Sequence, residues 1–206
     1  MSARRGFFIT LEGPEGSGKS TQAKRLVVAL RRKGHRVVFV RDPGTTALGK
    51  RLRQVLLHAP IGGLSPMAEA CLFIAGRIQL VQEAILPALR QGKIVVCDRF
   101  HDATVAYQGY GGQLDAAWLD RVGRAAIGGV MPRLTVLLDV PTNVGFRRVG
   151  GPRDRMERKA SAFHRRVRQG YLRMARKEPR RIVVVDATKS ADRVHHVILA
   201  TVQSRI

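Results

Sequence analysis

The segment from Gly13 to Ser20 carries the clearest chemical signal in the sequence. It reads Gly-Pro-Glu-Gly-Ser-Gly-Lys-Ser and fits the pattern G-x-x-x-x-G-K-[S/T]. In such a segment the glycines let backbone N–H groups turn inward on an anion, the lysine supplies a mobile cation, and the final hydroxyl can reach Mg²⁺. An apolar run precedes the segment and a helix-like run follows it, as this pattern requires. The sequence therefore predicts a nucleotide phosphate site around Lys19 and Ser20.

Two aspartates could supply the carboxylate that holds Mg²⁺, or its water shell, beside this loop. Asp98 follows Ile-Val-Val-Cys and Asp139 follows Val-Leu-Leu. Such a carboxylate is needed at the end of a strand next to the phosphate loop. We favour Asp98 because Arg99, its neighbour, could hold a phosphate at the same edge of the sheet. Asp139 stays the alternative.

Two pairs of side chains four residues apart could read a base. Phe73 and Arg77 share a helical face, so a ring and a guanidinium group could stack on a base and donate to its exocyclic oxygen. A buried Phe beside a surface Arg is the commoner explanation of such a pair. Thr104 and Gln108 repeat the spacing, and an amide can both accept from and donate to a base edge.

A basic segment, Arg147 to Arg158, contains a Gly-Gly-Pro break. The phosphate loop has no cation between Pro14 and Gly18, so further charge must reach the transferred phosphoryl group from elsewhere. A mobile arginine-rich lid would supply it and would also exclude water. We therefore predict a lid at about 147–159, although a solvated basic loop would read the same way.

The elements that position these groups alternate along the chain. Apolar runs at 7–11, 37–40, 93–98, 134–139 and 182–186 predict strands, and helical spacing occupies 18–32, 48–58, 66–90 with a bend near Pro87, 114–127, 163–175 and 192–203. This order predicts an α/β fold: a five-stranded parallel sheet with helices on both faces, in one domain spanning 1–206. Polar residues stand where each of the five strands ends and would lie at the ligand-binding edge of the sheet: Glu12, Arg41, Asp98, Asp139 and Asp186.

Composition adds two expectations. The net charge of +22 suggests polyanion binding, but the basic residues are mostly arginine and are spread along the chain, which favours a compositional bias and at most non-specific nucleic-acid binding. Cys71 and Cys97 lie in apolar runs and are expected to be buried and reduced. The first apolar run is too short for a signal peptide or a membrane span, so a cytoplasmic protein without membrane contact is expected.

Six motifs together resemble the bacterial thymidylate kinase family over nearly the whole chain. They are the Gly13–Ser20 loop, Arg41-Asp42-Pro43-Gly44, Asp98-Arg99-Phe100, Ala106-Tyr107-Gln108-Gly109-Tyr110, Asp154-Arg155-Met156-Glu157 and Asp186-Ala187-Thr188. The resemblance implies a P-loop nucleoside-monophosphate-kinase fold, MgATP and dTMP as substrates, and a homodimer. The alternatives are a related kinase for another nucleoside monophosphate, and a basic P-loop protein with vestigial activity.

The resemblance also implies site residues. The donor nucleotide would be held by Gly13, Glu15, Gly16, Ser17, Gly18, Lys19, Ser20 and Thr21, with Ala187 and Thr188 beside the adenine. The acceptor would be held by Glu15, Arg41, Pro43, Arg53, Phe73, Arg77, Arg99, Thr104, Tyr107 and Gln108. Catalysis is assigned to Lys19, Asp98, Arg99 and one lid arginine, with Arg153 leading, then Arg148 and Arg147. Ser20 and Asp98 would hold Mg²⁺.

Within the acceptor set, the resemblance implies that Phe73 stacks on thymine and Arg77 donates to its O4. Gln108 and Thr104 would meet the Watson–Crick edge, and Glu15 would accept from the 3′-hydroxyl. The sequence departs from the family pattern at Asp42, where Glu is usual, at Thr45, where a second Gly is usual, and at Phe100, where Tyr is usual.

Overall fold

A computed structural model describes residues 6–58, 64–150 and 154–206. Its core is a parallel sheet in the order β2-β3-β1-β4-β5. The strands are β1 (Phe7–Glu12), β2 (Val37–Arg41), β3 (Ile94–Asp98), β4 (Leu134–Asp139) and β5 (Ile182–Asp186). All five predicted strands are confirmed, and the polar residue predicted at the end of each one is its last residue.

Helices cover both faces of the sheet, which gives three layers. They are α1 (Lys19–Arg32), α2 (Ala47–Leu57), α3 (Pro66–Leu80), α4 (Leu86–Arg90), α5 (His101–Thr104), α6 (Ala116–Ala126), α7 (Thr142–Arg148), α8 (Ser161–Lys177) and α9 (Ala191–Gln203). Every residue of β1 is buried, as both-face coverage requires. Ile9 packs with Leu26 of α1 and Ile198 of α9, whereas Phe8 packs with Ile85 on the opposite face.

The long helical run from Pro66 to Arg90, which the sequence predicts with a bend near Pro87, contains a change of helix type. Val81–Ile85 is π-helical and joins α3 to α4. Pro87 has no N–H to donate, and here the N–H of Leu86 bonds to the carbonyl of Val81, five residues back. The run has the length and apolar content of a membrane span, but Leu80, Val81 and Ile85 are buried in the core, as in a core helix of a soluble protein.

Two helical segments were not among the predicted helices. One is α5 with its π-helical continuation Val105–Gly111, and the other is α7. The first is rich in β-branched, aromatic and glycine residues, which have low helix propensity. It is stabilised by packing on α8, where Tyr107 lies edge-on to Phe163 and Tyr171. This helix therefore forms because of its tertiary contacts, and the periodicity of its sequence does not predict it.

The prediction for the two cysteines was half right. Cys97 is buried in β3, and burial raises the pKa of its thiol well above the usual value. Cys71 is exposed on α3. Cys71 lies on the exposed face of α3 together with Met67 and Ala75, although the run is apolar nearly all round, so apolar content alone does not predict which of its residues are buried.

Candidate functional site

The phosphate loop joins β1 to α1 at the carboxyl edge of the sheet. Gly16 and Gly18 have φ of 66° and 83°, in the left-handed region that glycine adopts without strain. Gly18 is the N-cap of α1, and the first turn of that helix holds no acidic residue. The positive end of the helix is therefore available to an anion.

Lys19 lies folded across the loop that contains it. Its Nζ donates to the carbonyl of Pro14 at 2.6 Å and to Ser17 Oγ at 3.2 Å, and its side chain is buried. Burial, together with the positive charge of Arg99, lowers the pKa of Lys19 to about 7. A bound phosphate would replace these neutral partners with anionic oxygens and favour the charged form.

Ser20 and Asp98 meet beside Lys19. The Ser20 hydroxyl donates to Asp98 Oδ2 at 2.6 Å, and Asp98 is aligned with Leu11 of the neighbouring β1. Both Asp139 carboxylate oxygens, by contrast, accept from Arg168 at 2.7 and 2.8 Å. Asp98 therefore lies beside the hydroxyl of the phosphate loop, whereas Asp139 is paired with Arg168. The described residues contain no cluster of three or more His, Cys, Asp or Glu that could hold a metal ion.

Three arginines surround the cavity beyond the loop. Arg41 Nε donates to Asp98 Oδ2 at 3.2 Å, Arg53 Nη1 to the Pro43 carbonyl at 3.3 Å, and Arg99 Nη1 to the Gly13 carbonyl at 3.1 Å. All three line one cavity with Lys19. Burial and the charge of Arg41 lower the pKa of Arg53. Because guanidinium groups bind phosphate oxygens well, this cluster of cations suits the binding of a phosphate group.

The far end of the same cavity is lined by Phe73, Arg77, Thr104 and Gln108. Arg77 is 2% exposed, so the surface-arginine explanation is wrong. Its Nε donates to Asp42 Oδ2 at 2.5 Å and its Nη2 to Thr104 Oγ1 at 2.9 Å. Its Nη1 is buried and has no partner among the described residues. A buried guanidinium nitrogen without an acceptor is the group that a ligand oxygen would satisfy.

Glu15, in the phosphate loop, is the hub of a buried network. It accepts from the Tyr107 hydroxyl at 2.5 Å and from His164 Nδ1 at 3.2 Å, and Arg99 lies 3.7 Å away. Burial favours the neutral acid, but the hydrogen bond from His164 and the charge of Arg99 outweigh it and lower the pKa of Glu15 to about 2. The ionised carboxylate can accept a substrate hydroxyl.

A second cavity lies on the other side of the loop. Gly16, Gly18 and Thr21 line both cavities, and the second is also lined by Ser17, Arg148, Ala187 and Thr188. The guanidinium group of Arg148 donates to the carbonyls of Ala187 and Thr188 at 2.7 and 3.1 Å. Arg147 is exposed at the end of α7. Arg153, the leading lid candidate, lies outside the described residues.

Segment 154–159, the described end of the predicted lid, is anchored beside the first cavity. Arg155 Nη1 donates to Glu69 Oε1 at 2.6 Å and its Nε donates to the carbonyl of Leu56 at 2.8 Å. Lys159 Nζ also donates to Glu69, at 3.1 Å. Asp154, Met156 and Glu157 line the cavity.

Sequence reasoning missed several groups that support the site. They are Glu12, Glu69, His164 and Tyr171. Tyr171 donates to Glu12 Oε2 at 2.8 Å and accepts from Arg99 at 3.3 Å. Tyr171 lies 159 positions from Glu12 and 72 positions from Arg99 in the sequence, so no local pattern predicts either contact. Glu12 was noted only as a residue that ends a strand, and its position directly after the mostly apolar run 7–11 is the one sequence signal available.

Comparisons with known proteins agree with this arrangement. The model of the thymidylate kinase family matches residues 11–198. A thymidylate kinase of Syntrophotalea carbinolica is 48% identical, with 97% of this chain and 96% of the relative aligned. That of Deinococcus radiodurans is 46% identical, with 98% of both chains aligned. The crystal structure of thymidylate kinase from Ehrlichia chaffeensis superposes with a TM-score of 0.79 at 34% identity, covering 96% of this chain and 98% of that one. The phosphate loop, the parallel sheet and the two cavities agree with these relatives. The chain belongs to the thymidylate kinase family.

Proposed function

We propose that the chain transfers the γ-phosphoryl group of ATP to dTMP, giving ADP and dTDP, at the junction of the two cavities. The observation that carries this is the shared phosphate loop. Gly16, Gly18 and Thr21 line both cavities, so two ligands would meet there end to end. One cavity offers cations and base-reading groups, and the other offers the Ala187–Thr188 turn. Such a meeting of two phosphate chains suits in-line transfer.

On the donor side, backbone N–H groups at Gly13, Ser17 and Gly18 and the Lys19 cation would hold the ATP phosphates. Ser20 and Asp98 would hold Mg²⁺, which supplies charge neutralisation to the phosphates when it is bound. Ala187 and Thr188 would border the adenine. The contacts of Arg148 with both of their carbonyls favour a role for that arginine on this side.

On the acceptor side, Arg41, Arg53 and Arg99 would hold the dTMP phosphate, with Pro43 and Tyr107 shaping the pocket. Phe73 would stack on the base and Arg77 would donate to O4 through the nitrogen that lacks a partner. Thr104 and Gln108 would face the Watson–Crick edge. Glu15, ionised and fixed by Tyr107, would accept from the 3′-hydroxyl, which favours a nucleotide with that hydroxyl free.

We assign the lid to 147–159 and its catalytic arginine to Arg153. Segment 154–159 lies against the acceptor cavity, so a lid closing there would bring charge to the transferred group and exclude water. We also propose one domain, a cytoplasmic location and a homodimer. Sedimentation at increasing protein concentration tests the dimer.

The test is a coupled ADP-release assay with MgATP and dTMP, dUMP, dCMP, dGMP or thymidine at moderate salt. We expect selective turnover of dTMP. Arg153→Ala should lower kcat by about 10³-fold with little change in dTMP affinity, because an arginine finger acts in the transition state. Arg193→Ala, on the exposed side of α9, controls for loss of charge. Failure of every acceptor would overturn the dTMP assignment, and normal turnover in R153A would move the role to another lid arginine.

A further inference from the structure

Glu69 is a buried carboxylate that belongs to neither predicted ligand set. It lies in the first turn of α3 and is 1% exposed. Buried carboxylates are costly unless they are paired and hydrogen-bonded. Glu69 meets this requirement with three donors from two places: Arg155 and Lys159 of segment 154–159, and Gln108 of the acceptor cavity.

The contact with Gln108 fixes how that amide is turned. Gln108 Nε2 lies 3.1 Å from Glu69 Oε2, and both residues are buried. An ionised carboxylate only accepts hydrogen bonds, so the NH₂ group of Gln108 must face Glu69. The amide carbonyl oxygen is then the group that Gln108 can offer to a base in the cavity.

This orientation matters for the choice of pyrimidine. An amide oxygen accepts from the N3–H of thymine or uracil, whereas N3 of cytosine is itself an acceptor and would face it unfavourably. Arg77, on the same cavity, is a donor and suits the O4 carbonyl over the cytosine amino group. Arg77 and Gln108 thus form a donor and acceptor pair that matches a 4-oxo pyrimidine, provided that the amide does not turn over.

We propose that Glu69 is a specificity-determining residue, which positions the Gln108 amide to accept from the base and so discriminates against cytosine. Arg155 and Lys159 hold the Glu69 carboxylate in place. Glu69 therefore contacts both segment 154–159 and Gln108, the residue that would contact the base. Glu69 acts through Gln108 and touches no substrate. This inference rests on the proposed placement of the base against Arg77 and Gln108.

The test compares the dissociation constants of dTMP and dCMP, measured without ATP by displacement calorimetry. In Glu69→Gln the amide at position 69 can donate as well as accept, so Gln108 can turn over and donate to cytosine N3. We expect the preference for dTMP over dCMP to fall about tenfold, the scale of one mismatched buried hydrogen bond. Glu83→Gln makes the same charge change at an exposed position of the same helical run, and should leave the preference unchanged.

A merely structural role predicts a different result. If E69Q weakens both nucleotides equally, or leaves the preference intact, the proposal is wrong. Gln108→Leu tests the placement of the base separately from the role of Glu69. An unchanged preference for dTMP over dCMP in Q108L would show that the base does not lie against Gln108. If Q108L lowers the preference, E69Q added to it should cause no further loss. Should E69Q fail to fold, Glu69→Asp keeps the charge, moves the carboxylate away from Gln108 by one methylene, and should give a smaller loss of the same kind.

Discussion

Glu12 is a fully buried carboxyl group at the end of β1, directly before the phosphate loop. Burial, reinforced by the negative charge of Asp102 and opposed by Arg99, raises its pKa to about 7. Its two oxygens accept from the Phe100 N–H at 2.7 Å and from the Tyr171 hydroxyl at 2.8 Å. Glu12 thereby fixes the backbone that follows Arg99.

We predict that Glu12 makes the protein less stable as pH rises. Its pKa is higher in the folded state than in the unfolded chain, so its contribution to stability is fully present below about pH 4.5 and is lost as pH rises through about 7. Glu12→Gln keeps an acceptor for Phe100 and does not titrate. Between pH 5 and 8, the free energy of unfolding of E12Q should rise relative to wild type by about 2 kcal/mol. Urea unfolding at both pH values measures this, and a constant or opposite difference would contradict it.

At the scale of residues, the sequence predicts those functional side chains that belong to a local sequence motif. Lys19 and Ser20 follow from one loop, and Asp98 from one strand end. Arg77 shows the limit, because its spacing from Phe73 is more commonly that of a surface arginine beside a buried ring. Its burial depends on Asp42, 35 positions away. The shorter acid at position 42, a departure from the family pattern, still reaches that arginine.

At the scale of elements, the phosphate loop is packed against α7 with almost no space between them. A Cβ on Gly145 would lie 2.3 Å from the carbonyl oxygen of Glu15, and a Cβ on Gly16 would lie 1.9 Å from that of Gly145. Glycine in α7 therefore permits the loop and the helix to touch. Because α7 leads into the predicted lid, this contact also sets where the lid starts.

Gly145→Ala should push α7 away from the loop. We expect kcat/KM for ATP to fall at least tenfold and the free energy of unfolding to fall by about 1–3 kcal/mol, because an inserted methyl group meets fixed backbone. Asn143→Ala is the control on the same helix, since Asn143 is exposed and lies outside the proposed lid. Steady-state kinetics and denaturant unfolding test both variants. Equal behaviour of G145A and N143A would show that the close contact between α7 and the phosphate loop does not affect function.

Element types follow from the sequence where a segment is long or continuously apolar. The strands are predicted to within about one residue because each is a buried Val/Ile/Leu run. The helices α5 and α7 escape prediction because each is short and takes its stability from packing on its neighbours. These two helices carry Thr104 and the start of the lid, so the least predictable elements lie nearest the site.

At the scale of the whole molecule, acidic residues are concentrated inside. Among the residues that the structure describes, the buried charged ones are Glu12, Glu15, Lys19, Asp42, Glu69, Arg77, Asp98 and Asp102, of which six are acidic. The site thus removes negative charge from the surface of a chain whose net charge is already +22. The outer surface is more positive than the composition alone indicates. This field should attract anionic nucleotides at low salt, without conferring selectivity.

We therefore predict duplex DNA binding that depends on charge alone. Affinity should fall by about 10³-fold between roughly 50 and 200 mM salt, because each neutralised phosphate releases counterions, and it should be the same for unrelated sequences. The dTMP kinase activity should persist at the higher salt, since the Lys19 and Arg77 contacts lie in cavities and are poorly screened. Fluorescence anisotropy with two duplexes of different sequence, beside the kinase assay in the same buffers, tests this. Tight binding that survives at the higher salt, or that prefers one duplex, would mean that the basic surface recognises nucleic acid as a separate function.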